Sequence, residues 1–209
     1  MTLRPGPALL RLTAVLAWLG LAAQLLASMR LALATGRPAL AGALEALSYF
    51  TVLTNLLVAL VTSACLAGRP APLTRPALLA AVATYIFVVG LIYTLLLRAL
   101  WNPRGVQLLA DVLLHDAVPL LYVVWWLGWG PRGMLGWAQP LAWLLWPLAY
   151  FVFALAHGAL SGRYLYPFAD VGALGIAVVA RNGALLLVLF TVLGWGAVAR
   201  DRARWPAAD

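Results

Sequence analysis

Two side chains in this sequence have the chemistry of a nucleophile and its base: Thr51 and His115, each set in a long apolar run. A hydroxyl is a weak nucleophile until a base takes its proton during attack, and imidazole, with an ordinary pKa of about 6.5, suits that task at neutral pH. Asp111 precedes His115 by four residues, so on a helix the two share a face, where a carboxylate orients an imidazole and stabilises its protonated form. Asn55 follows Thr51 at the same spacing. Asp116 points about 100° away from His115 and is a partner for Arg98 or Arg181. His157 and the pair Arg181–Asn182 complete the set of polar groups within apolar runs. Asn55, Arg181 and Asn182 could each donate to an oxyanion. Pro119, four residues after His115, removes the donor its carbonyl would normally meet, so a local distortion is expected there.

Each of these residues also has an ordinary structural explanation. A threonine in an apolar helix commonly bonds back to its own backbone, and a lone histidine commonly serves packing. Asp and Arg can simply neutralise each other, and Tyr49, Tyr85, Tyr93 and Tyr150 read as packing or interfacial residues. Spacing alone does not make a catalytic pair.

The elements that must position these residues are helices in a membrane. Of the 209 residues 65% are hydrophobic and 10% charged, and mean hydropathy is +0.97. A soluble domain is about 45–50% apolar and about 25% charged. Lipid lets apolar side chains face outward and removes the conflict. Helices rise about 1.5 Å per residue and the hydrocarbon core is about 30 Å thick, so runs of about twenty apolar residues mark spans. Six are expected: Leu9–Met29, Leu44–Leu66, Ala77–Leu97, Gln107–Leu127, Leu141–Leu160 and Val171–Val198. Short breaks with turn chemistry separate them, such as Gly36-Arg37-Pro38, Gly68-Arg69-Pro70-Ala71-Pro72 and Asn102-Pro103-Arg104-Gly105. The fold class is therefore all-α: a polytopic bundle of about six transmembrane helices forming one domain over residues 1–209.

The net charge of +8 is carried by arginines scattered between apolar runs. They form no stripe that could track phosphates, which argues against nucleic acid as a partner. Arg4, Arg11, Arg69, Arg75, Arg132, Arg200, Arg202 and Arg204 fall on one side, and Arg30, Arg37, Arg98, Arg104 and Arg163 on the other. That bias places both termini in the cytoplasm, in a multi-pass protein of the cell membrane, with Trp101, Trp129, Trp137 and Trp205 at span ends. The single Cys65 excludes an internal disulfide. In this topology Thr51 and His115 lie about 10–12 Å below the outer surface. Arg181 comes slightly deeper, and His157 reaches the same layer from below. A polar pocket open to the outer leaflet is expected rather than a channel.

Three segments carry a resemblance: Ser48-Tyr49-Phe50-Thr51-Val52-Leu53-Thr54-Asn55; Leu113-Leu114-His115 with Val118-Pro119; and Gly162-Arg163-Tyr164-Leu165-Tyr166-Pro167-Phe168-Ala169-Asp170 after His157. Together, and in this order, they resemble the androgen-induced, FAR-17a-like integral membrane proteins, most closely their bacterial branch. Animal members are described as threonine hydrolases of fatty acid esters of hydroxy fatty acids, with a nucleophilic Thr and an essential His. The resemblance assigns those roles to Thr51 and His115. Animal members carry Asp just after the Thr, where this chain has Thr54-Asn55, and here Asp116 follows the His.

The expected function is hydrolysis of a fatty acyl ester drawn from the membrane, without cofactor or metal, with Asn55, Asp111, Asp116, His157, Arg181 and Asn182 in supporting roles. Two other classes remain open on the residues alone. One is a metal or haem protein with His115 and His157 as ligands; the other is a lipid-binding or transport protein whose polar layer holds a headgroup.

Overall fold

The computed structural model describes residues 5–69 and 72–203. Arg4, Pro70, Ala71, Arg204 and Trp205 lie outside the described residues. The fold is all-α, and among the described residues there is no strand. Among the described residues, five helices are long and apolar enough to cross a membrane: α1 (Gly6–Ala34), α4 (Pro76–Leu100), α5 (Val106–Trp129), α6 (Gln139–Ser161) and α8 (Ile176–Ala203). The pair α2 (Ala39–Leu47) and α3 (Phe50–Leu66), bent by 79° at its junction, is long and apolar enough for a sixth crossing when taken as one span. The chain is therefore a multi-pass membrane protein.

The second span departs from expectation. The apolar run from Leu44 to Leu66 is not one helix but bends at Ser48-Tyr49, so α3 starts afresh at Phe50. Hydropathy cannot register such a bend, because both halves are apolar. The sixth span also starts later than its apolar run. Asp170 accepts a hydrogen bond from the Ala173 N–H and caps a four-residue helix, α7 (Val171–Leu174). Gly175, at φ 77, then ends it, so α8 begins at Ile176.

The chain forms two compact units, Met1–Pro131 and Arg132–Asp209. In the first, α1 packs against α2, α3 and α5, while α4 packs against α3 and α5. On α1, Leu10, Ala14, Ala17 and Leu21 are buried, whereas Leu12, Val15, Leu19 and Leu26 form an exposed apolar stripe. The stripe is what a lipid-facing surface requires. The interior uses small and β-branched residues: Ala17, Val58, Ala59, Val61, Ala80, Val82, Ile86, Ala110 and Val118. Lipid tails are as apolar as leucine, so helices there are held by close van der Waals fit, which small residues permit. Gly90 marks a close approach of α4 to α5. A Cβ there would lie 3.1 Å from the His115 carbonyl oxygen and 3.3 Å from the Pro119 Cβ.

In the second unit, α6 and α8 pack with Phe151 against Gly183 and with Pro140 and Trp143 against Gly194. The fully buried Asp201 accepts hydrogen bonds from the Met134 and Leu135 N–H groups at 3.0 and 2.9 Å. It ties the segment ahead of α6 to the end of α8.

Candidate functional site

Polar side chains of the first unit gather where α3 begins, α4 ends and α5 begins. The helices there are not regular. The last turns of α4 widen into a π turn at Tyr93–Leu97, closed by the Arg98 N–H on the Tyr93 carbonyl. In α5 a second π turn spans Leu113–Ala117, closed by the Val118 N–H on the Leu113 carbonyl. This is the distortion expected beside Pro119. Such turns re-aim side chains and recur at functional sites.

His115 lies within the second π turn, with its side chain 13% exposed. Its Nδ1 is 3.0 Å from the main-chain carbonyl of Asp111 and 3.2 Å from Asp111 Oδ1. A carbonyl can only accept, so the proton belongs on Nδ1, and the neutral ring carries its lone pair on Nε2. Nε2 has no hydrogen-bond partner among the described residues. That arrangement fits a general base.

Asp111 is buried, and a second group holds it. The Tyr93 hydroxyl donates to Asp111 Oδ2 at 2.6 Å, and the Trp101 Nε1–H donates to the Tyr93 oxygen at 3.1 Å. The rings of Tyr93 and His115 stack at 3.7 Å between centroids, 15° apart. The imidazole is therefore fixed at its edge by Asp111 and across its face by Tyr93. Asp116 pairs with Arg98, one of the two partners expected for it, and the Arg98 guanidinium lies 5.0 Å from the Tyr93 ring centroid.

Thr51 is the second residue of α3 and is partly buried. Thr13, Thr35, Thr62, Thr84 and Thr191 each bond back to the carbonyl four residues earlier. For Thr51 that carbonyl belongs to Leu47, which the bend carries into α2. Its hydroxyl makes no hydrogen bond among the described residues, so the usual explanation of a membrane threonine does not apply here. The N–H groups of Thr51 and Val52 are likewise without main-chain acceptors among the described residues; the first α3 bond is Leu53 N–H to the Tyr49 carbonyl.

Asn55 is fully buried. Its Nδ2 donates to the Thr51 carbonyl at 2.9 Å and to the Leu114 carbonyl at 3.0 Å. Both amide hydrogens are thus committed to the main chain, which corrects its expected role as an oxyanion donor. The same two bonds hold those carbonyls no more than about 6 Å apart.

The remaining expected residues lie in the second unit. His157 Nδ1 is 3.2 Å from the Arg163 carbonyl and 3.4 Å from Ser161 Oγ, at the end of α6. Asn182 Nδ2 donates to the Phe168 carbonyl at 2.9 Å, steadying the loop in which Tyr166 and Phe168 stack. Arg181 is exposed on the second turn of α8. Among the described residues, no group of three or more His, Cys, Asp or Glu side chains could hold a metal ion.

Tyr93 and Trp101 are the members that spacing did not reveal. Tyr93 and Arg98 are five residues apart, about 140° around an α-helix, yet a π turn brings them to one side. The only signal in the sequence was the cluster of Tyr93, Arg98 and Trp101 at one span end.

The fold and the site together define an all-α, multi-pass membrane protein with an intramembrane histidine–carboxylate pair. No family model, curated protein or solved structure matches the chain.

Proposed function

We propose that the chain is an intramembrane lipid-ester hydrolase in which Thr51 is the nucleophile and His115 the general base. One observation carries the reading: His115 is held with Nδ1 on Asp111 and Nε2 unpartnered, one side-chain amide away from a threonine whose hydroxyl is not tied to its own helix. The resemblance of the segments around Thr51, His115 and His157 to the threonine hydrolases named above supports the same assignment.

The steps follow from ordinary acyl-transfer chemistry. Thr51 Oγ1 attacks the ester carbonyl carbon as its proton passes to His115 Nε2. The resulting imidazolium is stabilised by Asp111. The developing oxyanion meets the N–H groups of Thr51 and Val52 at the start of α3, where the helix dipole also favours negative charge. Collapse breaks the ester C–O bond, and the leaving alkoxide takes the proton from Nε2. Water, deprotonated by His115, then attacks the acyl-threonine, releasing the fatty acid and restoring the hydroxyl.

The substrate class is a fatty acyl ester entering laterally from the outer leaflet, in a cell membrane where both termini are cytoplasmic. For a chain of the bacterial branch that membrane is the cytoplasmic one. The test is hydrolysis of a long-chain lipid ester by purified protein in detergent. Wild-type turnover lost in both Thr51→Ala and His115→Gln is the expected result. Turnover that survives in both variants overturns the assignment.

A further inference from the structure

Asn55 and Pro119 stand in a relation that neither residue explains alone. In the π turn of α5, the Val118 N–H is used by the Leu113 carbonyl, so it does not serve Leu114 at the usual α spacing. The next donor in the π register would be the N–H of residue 119, and proline has none. Both main-chain routes to the Leu114 carbonyl are therefore closed. Leu114 is 1% exposed, so water does not take their place, and an unpaired carbonyl at such a position is costly. Asn55, from another helix, supplies the donor, and the same Nδ2 also holds the Thr51 carbonyl.

We infer that Asn55 is a positioning residue whose amide takes the carbonyl that Pro119 leaves open, and so ties the Thr51-bearing start of α3 to the His115-bearing turn of α5. A primary amide carries two hydrogens on one nitrogen, so Asn55 Nδ2 can donate to both carbonyls at once. Its catalytic consequence rests on the hydrolase reading. The nucleophile and base sit on different helices, and a drift of about 1 Å between reacting groups costs on the order of 100-fold in rate.

The pairing has a rescue test that separates it from a merely structural role. Asn55→Ala is expected to lower the thermal unfolding midpoint in detergent. It should also lower kcat about 100-fold, with KM changed less than about threefold. Adding Pro119→Ala returns a main-chain donor to α5. In Asn55→Ala/Pro119→Ala the midpoint should recover while kcat stays low, because the carbonyl is satisfied but the tie to Thr51 is gone. Recovery of kcat together with the midpoint overturns the positioning role. Failure of the midpoint to recover overturns the pairing itself. Where Asn55→Ala does not fold, the double variant is expected to fold, and its failure to do so also overturns the pairing. If wild-type protein hydrolyses no lipid ester, the hydrolase reading fails, and the midpoint rescue alone still decides whether Asn55 and Pro119 are matched.

Discussion

Replacing Tyr93 with Phe removes a single oxygen and leaves the ring stacked on His115. That oxygen donates to Asp111 Oδ2 at 2.6 Å and accepts from Trp101 Nε1 at 3.1 Å. A hydrogen bond to a charged group contributes about 1.5–3 kcal/mol, and Asp111 is only 5% exposed, so solvent does not replace the lost donor. Trp101 is exposed and its indole N–H can turn to solvent, so its share is small. The expected destabilisation is about 2 kcal/mol, read from unfolding in mixed micelles. Tyr122→Phe is the control. Tyr122 is fully buried, and its hydroxyl donates to the neutral Leu79 carbonyl at 3.2 Å, a bond worth about 1 kcal/mol. The two variants should also differ in catalysis. Tyr93→Phe loosens the carboxylate that orients His115 and should lower kcat about tenfold with KM little changed. Tyr122→Phe should leave kcat as it is. If Tyr93→Phe costs no more than Tyr122→Phe in both measurements, the hydroxyl does not hold Asp111 and the account of the site is wrong.

Other substitutions have equally definite expectations. Thr51→Ser keeps a hydroxyl and should retain measurable hydrolysis, whereas Thr51→Ala should leave none above background. Asp111→Asn should lower kcat on the order of 100-fold or more, because the amide no longer stabilises the imidazolium. Gly90→Ala places a methyl 3.1 Å from the His115 carbonyl oxygen and should cost about 1–3 kcal/mol in unfolding, with slower hydrolysis as α4 and α5 are pushed apart. Asp201→Ala leaves the Met134 and Leu135 N–H groups without their acceptor and should lower stability by about 2–3 kcal/mol. A stability unchanged from wild type would show that those two bonds do not hold the segment.

Much of the architecture is legible from apolar run length, because the thickness of a bilayer sets the length of a crossing. The expected runs coincide with the helices to within a few residues wherever a helix is continuous, as for α4, α5 and α6. The bend at Ser48-Tyr49 escaped because both halves of that run are apolar, and the late start of α8 escaped because the Asp170 cap and the Gly175 break lie within an apolar stretch. In the site, the i, i+4 pair Asp111–His115 follows from helical spacing, while charge alone left Asp116 with two partners, of which the structure uses Arg98. Tyr93 did not, since its role depends on a π turn that changes which residues share a face. Asn55 is legible only in part, for a related reason. Its location was evident from the sequence, but its donors are claimed by a carbonyl that only the π register and Pro119 together leave open.

The central claim is that Thr51 is a nucleophile activated by His115, and covalent trapping tests it most directly. Purified protein in detergent would be treated with a long-chain alkyl fluorophosphonate, digested, and read by mass spectrometry. One phosphonate adduct is expected, on Thr51, absent in Thr51→Ala and formed far more slowly in His115→Gln. An adduct on another residue, or labelling of Thr51 at the same rate without His115, would contradict it.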